Sequence, residues 1–442
     1  MARRLPMENH RPELIEHGVG AHEQTMTLEK PFWLFFSANT SVGTVMLGVV
    51  LAGMGFDFWK GLAVLFLGNL IGSIPPALTS TLGPRTRLTQ MESSRLALGK
   101  RGVRLPSFLC WLNCFGWDAV NNVPATFAWI TLAALCGLSF PFWLTLAVLV
   151  IVQGFISVYG HHLVQAVGKA VGYLFFLTFV VLGVLAFQER GLSFAAAKPV
   201  SLAGFLLAVT LIASAPMGWC GQAADYTRYL PPATPAGKVF LRVFLGIFLS
   251  GLLEEVLGLL LAGGITDQTP QGIVRNLQHL AGPWAPAALV LMGISSLSSN
   301  AANDNSAAYC LISAGVHISR RTSAVIGAAL SYAIAVYGAG SFSAFLENFL
   351  LLMVYWIAPW TAIVLTDWFL TRRKDHTHPP GWTREATIFC VVTAATLLLF
   401  SSSPLYTGPV NKWLGGAEVG YYAGFLWAGI WTWLTLRRRK AA

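Results

Sequence analysis

The chain has 442 residues, of which 55% are apolar and only 11% charged, with a net charge of +10. A soluble domain carries about 25% charged residues, so this composition excludes a soluble enzyme, a disordered chain and a disulfide scaffold. The charges fall in short clusters between apolar runs rather than on one basic face, which points away from nucleic acid and toward an integral membrane protein with many spans.

From the N-terminus, residues 1–30 are polar and mixed in charge, without the apolar core of a secretory signal. They read as a tail before the first span. A helix needs about 20 mostly apolar residues to cross a bilayer. Twelve runs qualify: 32–54, 58–82, 105–135, 139–160, 165–187, 201–225, 239–264, 284–315, 322–339, 344–371, 386–403 and 415–436. The runs are continuous rather than alternating, which argues against a β-barrel. With the N-terminus inside, only Lys60, Arg190, Lys198, Arg275 and Lys412 of the 29 basic residues fall outside. The clusters around Arg85–Arg104, at Arg372-Arg373-Lys374 and at Arg437–Lys440 then all face the cytoplasm, as do both termini.

Several spans are not clean helices. The first carries Ser37-Ala38-Asn39-Thr40-Ser41-Val42-Gly43-Thr44, and the sixth Ala213-Ser214-Ala215-Pro216-Met217-Gly218-Trp219-Cys220-Gly221-Gln222. Irregular backbone at membrane depth is tolerated only where it is buried in protein or lines a cavity. The two interruptions lie five spans apart, as two inverted five-span repeats around one central site require. The third span (Asn113, Gly116-Trp117-Asp118, Asn121-Asn122) and the eighth (Ser295 to Ser306) match at the same offset. The expected layout is a tail 1–30, a first repeat 31–188, a second repeat 200–372, a helix pair 385–436 and a basic end 437–442.

Polar groups inside a membrane are functional candidates by default, although Ser, Thr and Gly also serve helix contacts. Ser295, Ser298 and Ser299 share one helix face and, with carbonyls freed by the broken first span, supply the hard oxygen ligands that Na+ prefers. Asn303, one turn beyond, offers a donor and an acceptor to a ligand. Trp117 and Trp219 each follow a glycine, either as packing or interfacial tryptophans or as indole faces for a planar molecule, with Asn121 one turn from Trp117. Trp33, Trp59 and Trp413 fit an interfacial belt, as His161 and His162 fit a span end. Glu254, Glu255 and Glu347 fall inside spans, either as proton or cation carriers or as hydrogen-bonded structural groups. Glu254 and Glu255 are adjacent, so they cannot both point into one site. The six cysteines all lie in apolar runs and read as small buried side chains.

These motifs resemble the nucleobase:cation symporter-1 family of purine–cytosine and cytosine permeases. The resemblance covers nearly all twelve spans. It is carried by Leu82-Gly83-Pro84-Arg85-Thr86 with Gln90-Met91, Gly116-Trp117 with Asn121-Asn122, Gly218-Trp219, Ala224-Asp225-Tyr226-Thr227-Arg228-Tyr229-Leu230-Pro231, and Asn300-Ala301-Ala302-Asn303. It implies an all-α membrane protein of twelve transmembrane helices, with the LeuT-like five-plus-five inverted repeat of the amino-acid/polyamine/organocation superfamily and two extra C-terminal helices. The implied function is import of a nucleobase or related small N-heterocycle by symport with Na+ or H+. The implied substrate contacts are Trp117, Asn121, Gly218, Trp219 and Asn303, to which Ser37 and Gln222 of the interrupted runs are added. The implied Na+ ligands are the carbonyls of Phe32 and Phe35 with Ser295, Ser298 and Ser299.

The sequence departs from the family at Asn305-Ser306, where Tyr-Ser is common, and at Asp118 directly after Gly116-Trp117. The substrate therefore stays open among cytosine, purines, hydantoin, allantoin, a hydroxymethylpyrimidine and a vitamin such as pyridoxine or thiamine. No covalent cofactor and no nucleic-acid partner is expected, and the expected form is a monomer in the plasma (inner) membrane. An intramembrane enzyme acting on lipid lacks a nucleophile–base pair or metal set. A passive channel differs from a symporter by its inability to concentrate a solute.

Overall fold

The first apolar run does break. Helix α1 (Lys30–Asn39) and α2 (Val42–Gly53) meet at 59°. Ser41 at the corner is extended and caps α2 by accepting from the Thr44 N–H, while the Thr44 hydroxyl donates to the carbonyl of Asn39 (2.9 Å). The computed structural model describes residues 18–159, 161–192, 199–263, 267–316, 318–371, 379, 381–403 and 406–441. Residues 1–17, Lys198, residues 372–374 and the side chains of His161 and His162 lie outside the described set.

After a turn, α3 (Phe58–Ser80) opens on Asp57, whose carboxylate accepts from the Lys60 N–H (2.8 Å). Short α4 (Gly83–Thr86) ends at Arg87 in a left-handed conformation (φ 62°). Next come α5 (Gln90–Gly102), α6 (Arg104–Leu135), α7 (Phe142–Tyr159), α8 (His161–Arg190) and α9 (Leu202–Met217). Helix α9 runs through a 3-10 turn, Gly218–Gly221, into α10 (Ala223–Thr227). The second half adds α11 (Ala236–Ala262), α12 (Pro270–Ala281), α13 (Ala285–Ser313), α14 (Arg320–Ala339), α15 (Phe342–Thr371) and α16 (Arg384–Phe400). A two-stranded hairpin, β1 (Ser402–Ser403) with β2 (Tyr406–Thr407), leads to α17 (Pro409–Trp413) and α18 (Gly420–Ala441).

Among the described residues six helices are long and apolar enough to cross a membrane, seven if the bent pair α1/α2 is one span. The basic segment between the second and third apolar runs is partly helical. It contains α5, where Arg95 is buried against Glu92 rather than solvated. Helix α12, ahead of α13, was not legible as a separate element.

The centre is the pair α6 and α13, which pack along each other; α11 packs on both halves of the broken span and on α3. That approach needs glycine. A Cβ on Gly48 would lie 1.9 Å from the Glu255 carbonyl oxygen, and one on Gly258 1.9 Å from that of Val45. Outside, α7 shows an apolar stripe of Leu144, Val148, Ile151 and Phe155, and α8 one of Leu174, Leu177, Val181 and Val184, all exposed. Stripes of this extent suit lipid rather than water, and the molecule is a multi-pass membrane protein.

Candidate functional site

The two backbone breaks border one polar cavity. The first contributes Ala38, Asn39, Ser41 and Thr44, and the second Ala215, Gly218, Trp219 and Gln222; α6 adds Trp117 and Asn121, and α13 adds Ser299 and Asn303. The free space is about 30 Å³, room for a water or two and far below the roughly 300 Å³ of a small-molecule pocket. A ring enters only when these walls separate.

Of the expected substrate residues, Trp117, Asn121, Gly218, Trp219, Gln222 and Asn303 all line this cavity. Ser37 does not; its hydroxyl donates to the Leu34 carbonyl of its own helix. Gly218 lets the Trp117 indole lie against the turn, since a Cβ there would stand 2.7 Å from Trp117 Nε1. Phe349 supports the same indole edge-on at 5.5 Å. The Trp219 Nε1–H donates to Asn39 Oδ1 (3.1 Å), and the Asn39 amide donates to Ser250 Oγ (3.0 Å).

Of the expected Na+ ligands, Ser299 borders the cavity, buried and with its hydroxyl unpartnered among the described residues. The Ser295 hydroxyl donates to the Met292 carbonyl (2.8 Å), and Ser298 is half-buried on the same helix. The Phe32 carbonyl lies against Gly246 of α11, and the Phe35 ring packs edge-on against Trp219. Helix α13, which carries the serines, packs on α1, which carries both phenylalanines.

Of the three glutamates inside spans, Glu254 and Glu255 have hydrogen-bonding partners, and half-buried Glu347 has none among the described residues. Glu254 Oε2 accepts from the Ser41 N–H (3.0 Å), the backbone donor exposed by the break. Glu255 faces α3 and accepts from the Asn69 amide. Each points to a different helix, as adjacent positions must.

A buried amide network that the sequence did not announce runs behind the cavity. The Ser41 hydroxyl donates to Asn121 Oδ1 (3.0 Å), Asn121 Nδ2 to Asn300 Oδ1 (2.9 Å), and Asn300 Nδ2 to Gln153 Oε1 (3.0 Å). Gln153 Nε2 then donates to Asp118 Oδ2 (3.1 Å) and Asp304 Oδ2 (3.2 Å). Gln153 is the residue that motif reading missed. Its signal was a single amide in an otherwise apolar fourth run, costly in a membrane unless paired.

The second break is latched from outside the cavity. Gln90 Oε1 accepts from the Ala224 N–H (3.0 Å), and Asp225 Oδ1 accepts from the Gln90 N–H (2.7 Å), a reciprocal cap between α5 and α10. Gln24 Nε2 donates to the carbonyls of Pro84, Arg228 and Leu230. The Leu82–Thr86 and Ala224–Pro231 motifs therefore meet in one structural latch.

A helical membrane bundle with a small polar cavity between broken helices is an architecture that permeases share. The family model for permeases of cytosine/purines, uracil, thiamine and allantoin matches residues 18–424, and the chain belongs to that family. The purine-cytosine permease fcyB of Emericella nidulans is 28% identical over 465 residues, covering 95% of this chain and 87% of that protein. The vitamin B6 transporter TPN1 of Saccharomyces cerevisiae is 25% identical over 368 residues, covering 77% and 62%. Among solved structures, the closed form of Mhp1, a nucleobase-cation-symport-1 family transporter with bromovinylhydantoin bound, superposes with a TM-score of 0.77 at 16% identity. That match covers 96% of this chain and 94% of that one.

Proposed function

We propose that this permease imports a planar nucleobase-like heterocycle, cytosine or a purine, by alternating access in symport with Na+ or H+. The observation that carries this is the placement of the Trp117 indole against the Gly218 turn. There an apolar ring face and the carboxamides of Asn303, Asn121 and Gln222 border one cavity at two helix breaks. Indole faces bind flat rings and carboxamides read their edges. Trp219 and the Gly218 backbone form the opposite wall, and Ser37 joins only if α1 rotates on opening.

For a Na+ co-substrate, the ligands are the carbonyls of Phe32 and Phe35 with Ser295, Ser298 and Ser299. The buried hydroxyl of Ser299, unpartnered among the described residues, supports this set. A cation there joins α1 to α13 and preorganises the adjoining cavity, so the two ligands favour closure together. The broken α1/α2 pair, the break after α9 and the α6–α13 packing support the five-plus-five repeat (31–188 and 200–372) within twelve spans. Residues 385–436 then form the added pair, and both termini lie on the cytoplasmic side of the plasma membrane.

The test is uptake of labelled cytosine or adenine into proteoliposomes under an imposed Na+ or proton gradient. Uphill accumulation supports symport, and equilibration without concentration contradicts it. Trp117→Ala is expected to abolish saturable uptake while membrane insertion is retained; near-normal uptake would remove this site assignment. The vitamin B6 transporter relative favours a second reading, a pyridoxine-type ring in the same cavity. Competition of cytosine uptake by pyridoxine separates the two.

A further inference from the structure

An amide can face either way, and what lies behind it decides which end it presents. Asn303 donates its Nδ2 to Asp118 Oδ1 (3.0 Å). Its Oδ1 has no partner among the described residues and is not closed off from free space, and the residue borders the cavity. The carbonyl of Asn303 therefore faces the ligand space. Asp118 is fully buried, and both of its carboxylate oxygens accept from amide NH2 groups, Asn303 on one and Gln153 on the other.

Asp118 also hydrogen-bonds the Asp304 side chain, but the oxygen it turns to Asn303 accepts from that amide, and this oxygen gives the network a direction. Gln153 cannot turn over, because its Oε1 is held by the amides of both Asn122 (3.0 Å) and Asn300 (3.0 Å). Its nitrogen must point to Asp118. Asn303 in turn has no choice but to give its nitrogen to Asp118 and its oxygen to the cavity. Gln222 borders the same space, but its Oε1 is closed off from it and has no partner among the described residues.

We propose, on the basis of the transport function above, that Asp118 is a positioning residue that sets the hydrogen-bonding polarity of the substrate site. It turns the Asn303 carbonyl toward the ligand, so that the permease selects rings that present N–H donors to that wall. The substrate class is a planar heterocycle with at least one N–H, ring or exocyclic, on the edge facing α13. A ring with only acceptors on that edge leaves two carbonyl oxygens facing each other across a dry gap and binds weakly.

The same geometry states what Asp118→Asn does. Gln153 keeps its nitrogen on Asp304 Oδ2 (3.2 Å) and gives its other N–H to the new carbonyl oxygen, so the new NH2 faces Asn303. Asn303 then turns over and shows its own NH2 to the cavity. The experiment is competition against labelled cytosine uptake by the full chain in proteoliposomes. The probes are cytosine, pyrimidin-2-one (no exocyclic amine) and 1-methylcytosine (no N1–H). In the wild type, the analogue lacking the N–H that Asn303 reads is expected to compete about tenfold less well than cytosine, the loss of one buried hydrogen bond. In Asp118→Asn that ratio is expected to fall within about twofold of unity or to reverse.

The double variant Asp118→Asn with Asn303→Asp exchanges the carboxylate and the amide. It again presents an oxygen to the cavity, so it is expected to restore the wild-type order even if the single variant fails to fold. Retention of the wild-type ratio in folded Asp118→Asn overturns the proposal, as does a wild type that ranks all three probes equally or a folded double variant without the donor preference. A merely structural role for Asp118 lowers uptake of all probes alike and leaves their ratio fixed. If the wild type takes up neither cytosine nor any heterocycle in the panel, the transport function itself fails, an outcome distinct from an unchanged ratio.

Discussion

The two helix breaks are held in different ways. At the first, the freed Ser41 N–H is taken up from within the membrane by one neighbouring helix. Glu254 of α11 takes the Ser41 N–H, and Ser250, one turn earlier, accepts from Asn39, which in turn accepts from Trp219. At the second, capping comes from a separate helix through Gln90 and Asp225, and Gln24 and Thr227 tie down the chain beyond it. The first break thus hangs on Glu254 and Ser250 of α11 together with Asn39 and Trp219 of the cavity wall, and the second on a distributed latch behind the cavity. A transporter needs one wall that moves and one that serves as reference, and the bonds of the first break centre on two neighbouring residues, Asn39 and Ser41.

Substitutions that attack one break at a time sharpen this contrast. The largest effect is expected from Gly258→Ala. The neighbour it meets is the Val45 backbone, which cannot swing aside, so the loss is expected at or above the upper end of the about 1–3 kcal/mol typical of overpacking. Thermal unfolding in detergent reads it, and an unchanged melting temperature would show that α2 does not rest on α11. Glu254→Ala follows, leaving the Ser41 N–H buried without an acceptor at about 1–3 kcal/mol. Uptake should fall with stability, whereas Glu254→Gln, which keeps an acceptor, should preserve most of both.

Gln90→Ala is expected to cost about 1 kcal/mol, because the rest of the latch remains, and to spare the affinity for substrate. A larger loss of affinity than in Glu254→Ala would reverse the contrast between the breaks. The smallest effect is expected at Asp57, which caps α3 away from both. Asp57→Ala should cost about 0.5 kcal/mol, the low end for caps, with unaltered uptake. The Lys60 backbone N–H, which donates to Asp57, holds its carboxyl below the usual range. Its contribution is thus present above the ordinary carboxylate pKa and lost as pH falls through the lowered folded value. Asp57→Asn should keep the cap and lose that acid dependence in a melting series.

The breaks themselves were legible in the sequence, because Gly, Pro, Ser and Asn in mid-membrane runs have few other uses. So were six of the seven expected substrate residues, in the sense that they gather around one cavity. Ser37 was not separable from its neighbours. A one-residue shift along α1 changes which face a side chain occupies, and its hydroxyl satisfied its own helix instead. The partners of the breaks were not legible either. Glu254 meets Ser41 across more than 200 residues of chain, and nothing local marks which of two adjacent glutamates turns inward. Asp118 stood out as a departure, but its role needed Gln153 and Asn300 in three dimensions to fix the direction of its hydrogen bonds. The basic cluster around Arg95 gave no sign that Arg95 pairs with a buried Glu92 inside a helix, because charge pattern registers sidedness and not partners.

The central claim is that the space between the two breaks is the substrate site. A cryo-EM structure of the protein in lipid nanodiscs with cytosine and Na+ tests it most directly. The account predicts a flat density in a widened cavity, its face on Trp117 and its edge within hydrogen-bonding distance of Asn303. A ligand bound elsewhere under saturating uptake conditions, with Trp117 still pressed against Gly218 and the cavity closed, would contradict it.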